Sequence, residues 1–193
     1  MKNILFTLIA ICSLISCNNQ KNTTVNDKAS TEPTSSKVEN LQFPEDFLGI
    51  YKGTLTITTS NGDELLPMEF HLLDAPDKTR YGYKIFYGAE RDERSYNLVR
   101  THNEHLFLVD ENNGIILESG FANNTLFSTY EVMGNLLNAT EKFYEDRMEF
   151  TITMAREQDT SITGTKESAI VKNYPISIMQ TATLMKEKNT AVK

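Results

Sequence analysis

From Leu41 onward the apolar residues recur at every second position, and that period confines the chain to β-structure. Phe47, Tyr51, Leu55 and Ile57 share one parity, with Lys52, Thr54, Thr56 and Thr58 on the other. Met68, Phe70 and Leu72 alternate with Glu69 and His71, and Met148, Phe150, Ile152 and Met154 with Glu149, Thr151 and Thr153. A strand sends successive side chains to opposite faces, so each run predicts one buried face and one wet face. No segment holds a 3.6-residue period for long. Gly134–Tyr144 comes nearest, and there Asn135, Asn138 and Thr140 favour a bent strand.

Turn signals recur throughout: Asn61-Gly62, Asp77-Lys78, Asn113-Gly114, Asn123-Asn124 and Glu145-Asp146. The two Asn-Gly pairs lie between alternating runs, the strongest short hairpin signal a sequence offers. Strands are expected near 47–59, 65–73, 79–88, 93–101, 104–110, 114–121, 125–133, 138–144, 147–155, 159–165 and 174–185. Short connections make sequence neighbours spatial neighbours. The result is an all-β, up-and-down antiparallel meander that must hide its apolar face and its edges. Closure into a barrel of about 8–10 strands does both, and a two-sheet sandwich is the alternative.

The first forty residues follow a different logic. Met1-Lys2-Asn3 is a short basic start, and Ile4–Ile15 is an apolar run too short for a bilayer core, which needs about 20 residues. It suits the signal helix of an exported protein, over residues 1–16. The run ends in Leu14-Ile15-Ser16-Cys17, which resembles the bacterial lipobox. The resemblance implies cleavage between Ser16 and Cys17, diacylglycerol on the Cys17 thiol and an acyl chain such as palmitate on its amine. Each buried CH₂ contributes roughly 0.8 kcal/mol, so several chains on one residue hold firmly. A plain secretory signal with an incidental Cys is the alternative. Asn18-Asn19-Gln20-Lys21 has neither an Asp after the Cys nor an acidic run. By the same resemblance this places the protein in the cell envelope, at the periplasmic face of the outer membrane.

Residues 17–40 are almost all Asn, Thr, Ser, Lys, Glu and Gln after the Cys, a composition that cannot offset ordering entropy and predicts a disordered tether spanning about 25–30 Å. Residues 41–193 remain for one domain. The chain carries 19 Lys+Arg and 26 Asp+Glu; without Lys2 the balance is 18 − 26 = −8, and the tether is neutral, so the domain holds it all. Such a domain repels nucleic acid and lacks a polybasic patch for anionic lipid. By the lipobox resemblance Cys12 would leave with the signal and Cys17 would be a thioether, which leaves no thiol for catalysis, disulfide or metal.

Phe47-Leu48-Gly49-Ile50-Tyr51-Lys52-Gly53-Thr54-Leu55 resembles the opening strand of the calycins, the lipocalin and fatty-acid-binding group. Those begin with an aromatic residue and a Gly-x-Trp that plugs the barrel floor. Here Phe47, Gly49, Tyr51 and Gly53 stand in the floor motif, with Tyr51 at the Trp position. The same stretch is similar to the start of the copper-homeostasis envelope lipoproteins, but Thr56–Thr59 stands where those have a Cys-x-x-Cys, so no thiol chemistry transfers. The resemblance implies an envelope lipoprotein with a lipocalin-like barrel.

The sequence contains no Gly-x-Ser-x-Gly, P-loop, Gly-x-Gly-x-x-Gly or His-Glu-x-x-His. His102 and His105 flank Glu104, but residues three apart on an extended chain face opposite ways, so with His71 they predict no metal site. The mixed charges Glu90, Arg91, Asp92 and Glu93 read as a solvated turn. Neither catalysis nor a cofactor is expected. Tyr81, Tyr83, Ile85 and Tyr87 share one strand face, and Arg94, Tyr96, Leu98 and Arg100 share a face of the next. If Ile85 is core, the phenols point inward and need partners. Tyr81, Tyr83, Tyr87, Arg94, Tyr96 and Arg100 are therefore the candidate lining for a small apolar or amphipathic ligand, with the arginines favouring an anionic one. The alternatives are tyrosines on the surface, and a barrel filled by its own side chains that serves envelope assembly or stress sensing through protein contacts.

Replacing the acylated residue tests the anchor directly: Cys17→Ala should yield a soluble periplasmic form or an uncleaved precursor. A cleaved Cys17→Ala protein that still sediments fully with washed membranes would remove Cys17 as the attachment point.

Overall fold

The computed structural model describes residues 41–188; the expected signal at 1–16, Cys17 and the rest of the 17–40 tether lie outside them. Twelve strands are described: β1 Gly49–Thr59, β2 Gly62–Leu73, β3 Arg80–Tyr87, β4 Asp92–Arg100, β5 Leu106–Asp110, β6 Ile116–Ala122, β7 Thr125–Val132, β8 Asn135–Phe143, β9 Arg147–Arg156, β10 Ser161–Thr163, β11 Val171–Asn173 and β12 Ile176–Lys186. β1 to β9 pair in chain order, and β12 closes the ring between β9 and β1. All ten barrel strands are antiparallel to their neighbours. The meander closes as a barrel and not as a sandwich.

The period-two runs become the inner wall. Leu66, Met68, Phe70 and Leu72 of β2 are buried, as are Tyr81, Tyr83 and Ile85 of β3. Outward positions of β1, β12 and β9 carry threonines that pair across strands, Thr54 with Thr183 and Thr56 with Thr181, then Thr181 with Thr151. Branched hydroxyl residues suit a pleated face in water. The segment expected to be a bent strand is β8. The Asn123-Asn124 turn has φ of 50° and 56°, the left-handed pair that a tight hairpin needs.

One expected strand does not join the barrel. Residues 159–165 contribute only β10, which pairs with the unanticipated β11 in a separate two-stranded sheet. Every residue of β10 and β11 is exposed, since Ser161, Thr163 and Asn173 offer no apolar face to bury. Phe47 also lies outside β1, in a 3₁₀ turn over Glu45–Phe47.

That turn belongs to a segment, Leu41–Leu48, that crosses one end of the barrel and plugs it with aromatic rings. Phe43 stacks on Phe121 at 4.5 Å and meets Phe107 edge-on at 5.3 Å and Phe143 at 5.2 Å. Tyr51 is fully buried; its hydroxyl donates to the Phe47 carbonyl, and Lys186 Nζ stands 5.7 Å from its ring centre. Two glycines of the motif make room for closure. A Cβ on Gly53 would lie 2.5 Å from the Thr183 carbonyl oxygen, and one on Gly49 2.7 Å from the Lys186 side chain.

A polar latch fastens the plug. Arg100 Nη2 donates to both Glu45 carboxylate oxygens at 2.7 and 2.8 Å and to the Phe43 carbonyl at 3.2 Å. The Tyr81 hydroxyl donates to Glu45 at 2.5 Å. Burial pushes the Glu45 carboxyl up, but these bonds and the Arg100 charge outweigh it and hold it below its ordinary value.

Phe143 touches Phe43, Phe47, Tyr51 and Phe70 at once. Phe143→Ala should cost about 3–5 kcal/mol in urea unfolding, whereas Phe127→Ala on the wet face should stay within about 0.5 kcal/mol. Equal losses for the two would contradict the plugged-end packing.

Candidate functional site

Inward side chains change character along the barrel axis. At the plugged end Tyr51, Phe70, Leu72, Tyr81, Leu98, Phe143, Met148 and Leu184 are all 2% exposed or less. Toward the other end Ile57, Tyr87, Arg94, Tyr96, Leu117, Tyr130, Ile152 and Gln180 hold the same inward parity but are only half-buried. The ladder registers keep them on one wall: Tyr87 faces Met68 across β2, Tyr130 faces Leu137 across β8, and Ile152 faces Gln180 across β12. The barrel is a core at one end; at the other, here called the cup, several inward side chains are partly exposed while Met68 and Leu137 among them stay 1% and 2% exposed.

Glu141 sits between them. It lies inward on β8, opposite Leu126 and Phe150, and is 7% exposed. The Tyr83 hydroxyl donates to its Oε1. Burial pushes the Glu141 carboxyl up to about 7, against the opposing pull of the Tyr83 bond. Burial and then the Glu141 carboxylate push the Tyr83 phenol upward in turn.

Three more phenols converge on this region. Tyr96 and Tyr130 are each pushed up to about 12, first by burial and then by the charge of Glu111. Tyr87 is raised by burial, then by Tyr96 and Glu141. The rings of Tyr83 and Tyr96 are 6.1 Å apart. The hydroxyls of Tyr87, Tyr96 and Tyr130 make no hydrogen bond to another described residue, and no enclosed side-chain oxygen among the described residues lacks a partner. These hydroxyls are therefore reached by solvent.

The candidate lining is thus divided. Tyr83, Tyr87, Arg94 and Tyr96 line the cup. Tyr81 and Arg100 share their face but stand at the plugged end, in the Glu45 latch. Arg94 grips Asp92 with two bonds of 2.8 Å. The floor residues Phe47, Gly49, Tyr51 and Gly53 lie at the plugged end, away from the cup. His71 faces outward, 2.9 Å from Glu69, and His102 and His105 lie in the exposed turn between β4 and β5. Among the described residues no group of three His, Cys, Asp or Glu could hold a metal. Two shallow depressions mark the outside: a rim notch of about 220 Å³ lined by Met133, Gly134, Asn135, Arg156, Glu157 and Gln158, and one over the outer threonines.

Sequence reading missed Glu141, Tyr130 and Glu111. The signal for Glu141 was present: it shares parity with Leu137, Ala139 and Phe143, so an acid stood on an apolar face. Tyr130 likewise shares the parity of Leu126.

The chain matches no family model and no curated protein. Its fold is similar to the crystal structure of a protein of unknown function from the DUF3598 family of Nostoc punctiforme, at a TM-score of 0.54 and 10% identity. The match covers 76% of this chain and 49% of the other, so this chain spans about half the length of that protein. The likeness shows the barrel and nothing of its use.

Because Glu141 titrates above its ordinary 4.5, the folded state holds its proton where the unfolded chain has lost it. Its contribution is full below pH 4.5 and falls as pH rises through about 7, by up to about 3 kcal/mol. Glu141→Gln should therefore gain stability relative to the parent between pH 5 and pH 8. A difference in melting temperature that is constant across that range would place Glu141 in water.

Proposed function

We propose that this protein is a lipid-tethered, non-catalytic module of the cell envelope that holds a small apolar or amphipathic molecule in the open half of its barrel. The observation that carries this reading is the set of inward hydroxyls on Tyr87, Tyr96 and Tyr130 without protein partners among the described residues. A barrel selected for stability alone would place apolar residues there, as it does at the plugged end. A phenol buried without a partner costs about 1–3 kcal/mol, so these rings are tolerated only where water or a guest meets their oxygens. Polar groups converging in an otherwise apolar concavity are the usual form of a small-molecule site.

The described chain enters at the plugged end, where Leu41 and Phe43 lie, and Lys186 finishes β12 at that same end.

A second reading, in which the protein works through protein contacts in assembly or stress sensing, draws on the β10–β11 sheet. It exposes Ile162 of β10 at 68% and Ile170, in its loop, at 61%. The other large exposed apolar residues of the barrel, such as Leu65, Phe127 and Met179, are separated by polar neighbours, which makes a broad docking face a weaker account.

The neutral probe N-phenyl-1-naphthylamine should bind the purified protein saturably at micromolar levels. Tyr87→Ala and Tyr96→Ala should weaken it several-fold and Phe127→Ala should not. Absence of saturable binding, together with native mass spectra of gently extracted protein showing a protein partner and no small guest, would favour the contact-driven reading instead.

A further inference from the structure

The inner wall of the cup is acidic. Glu64, Asp92, Glu111 and Glu141 share its inward parity, against Arg94 and Arg156. Arg94 is held in two bonds to Asp92, so that pair cancels locally. Arg156 is exposed at the rim, as are Glu64 and Asp92, which leaves Glu111 and Glu141 as the inward acids. Arg100, which shares the face of Arg94, is committed to Glu45 at the far end. The expectation of an anionic guest therefore loses both of its donors.

The deepest ionisable group of the cup is a carboxylate with one hand free. Glu141 Oε1 is taken by Tyr83, while Oε2 makes no hydrogen bond among the described residues. Since no enclosed side-chain oxygen there is left without a partner, Oε2 is open to solvent. Tyr87 and Tyr130 lie within electrostatic reach of Glu141, and the Tyr96 ring stands 6.1 Å from that of Tyr83, the partner of Glu141. Aromatic faces attract cations, and a desolvated carboxylate binds an N–H donor more strongly than a neutral acceptor does. Ile57, Leu117 and Ile152 supply apolar wall beside them.

We propose that the molecule held in the cup is an organic ammonium ion with an apolar body, its nitrogen set against Glu141 Oε2 and its flanks against the rings of Tyr87, Tyr96 and Tyr130. This rests on the reading of the barrel as a binding module and specifies its ligand class. An anion would meet Glu141 and Glu111 with no uncommitted guanidinium beside them to offset their charge. A neutral molecule would gain nothing from the Glu141 charge.

Three indoles of matched shape separate the cases: tryptamine is a cation, indole-3-propionamide is neutral and indole-3-propionate is an anion. Titrated calorimetrically into the full-length protein at pH 8, tryptamine should bind at least tenfold more tightly than either of the others. Glu141→Gln should bring tryptamine down to the affinity of the amide while leaving the amide unchanged. Tyr130→Leu, which keeps the carboxylate, should weaken tryptamine several-fold more than the amide and guards against a misfolded Glu141 variant. Equal affinities, or a preference for the anion, would overturn the charge assignment and leave the carrier reading standing. The charge assignment also falls, and the carrier reading stands, if none of the three binds while N-phenyl-1-naphthylamine still saturates. Failure of all four probes would overturn both.

Discussion

The ladder between Tyr51–Thr58 and Met179–Lys186 joins the first barrel strand to the last, and it turns a meander with two bare edges into a closed ring. Among the described residues no other pairing joins the two ends of the meander: the rest of the ring links successive strands, or β9 to β12 across the β10–β11 excursion. Closure also fixes which way every strand faces. A one-residue slip at this seam would send Leu55 and Leu184 outward and Thr54 and Thr183 inward. The seam is protected against that slip by shape. Gly53 lets β12 approach its backbone, Gly49 leaves space for Lys186, and Lys186 then reaches Tyr51 and the Asp46 carbonyl. The opening motif is thus a description of the last strand as much as of the first.

With the ring closed, its two ends carry opposite duties. The plugged end gathers Phe43, Phe47, Tyr51, Phe70, Phe107 and Phe143 into one contact network, and aromatic rings bury 150–250 Å² each. Most of the aromatic ring contacts among the described residues lie at that end. The open end is released from that demand, and there the wall admits phenols, a buried acid and a half-buried arginine. Glu141 marks the border. Its carboxyl is deep enough to be pushed up to about 7, which is a cost the packed half has to offset. A residue that lowers stability at a position where leucine would fit is the kind of local conflict expected at functional positions.

Much of this was legible in the residues. Alternation located the barrel strands and their inward faces, and the Asn-Gly and Asn-Asn pairs located hairpins. Tyr81, Tyr83 and Ile85 are inward because a single apolar parity leaves no other arrangement. What was not legible depends on pairs far apart in sequence. Arg100 meets Glu45 across 55 positions, and Tyr83 meets Glu141 across 58. Parity says that two residues face the same interior, not that they touch. The β10–β11 sheet was hidden for a different reason: its strands bury nothing, so no hydrophobic period announced them.

The remaining ambiguity is one of height. Tyr81 and Tyr87 lie on one strand and one face, and the sequence treats them as equivalent. Six residues of strand separate them by about 20 Å, which is the difference between the two ends of this barrel. At the lower position the hydroxyl finds Glu45 and Arg100 and becomes a fastener of the plug. At the upper one it finds no protein partner among the described residues and is raised by burial, then by Tyr96 and Glu141. Arg94 and Arg100 divide in the same way, six residues apart on the neighbouring strand. Facing inward is therefore a necessary condition for binding a guest and far from a sufficient one. The deciding coordinate is distance from the seam of aromatic rings at the plugged end, and it is set by the short Leu41–Leu48 segment that stops one mouth of the barrel and leaves the other open.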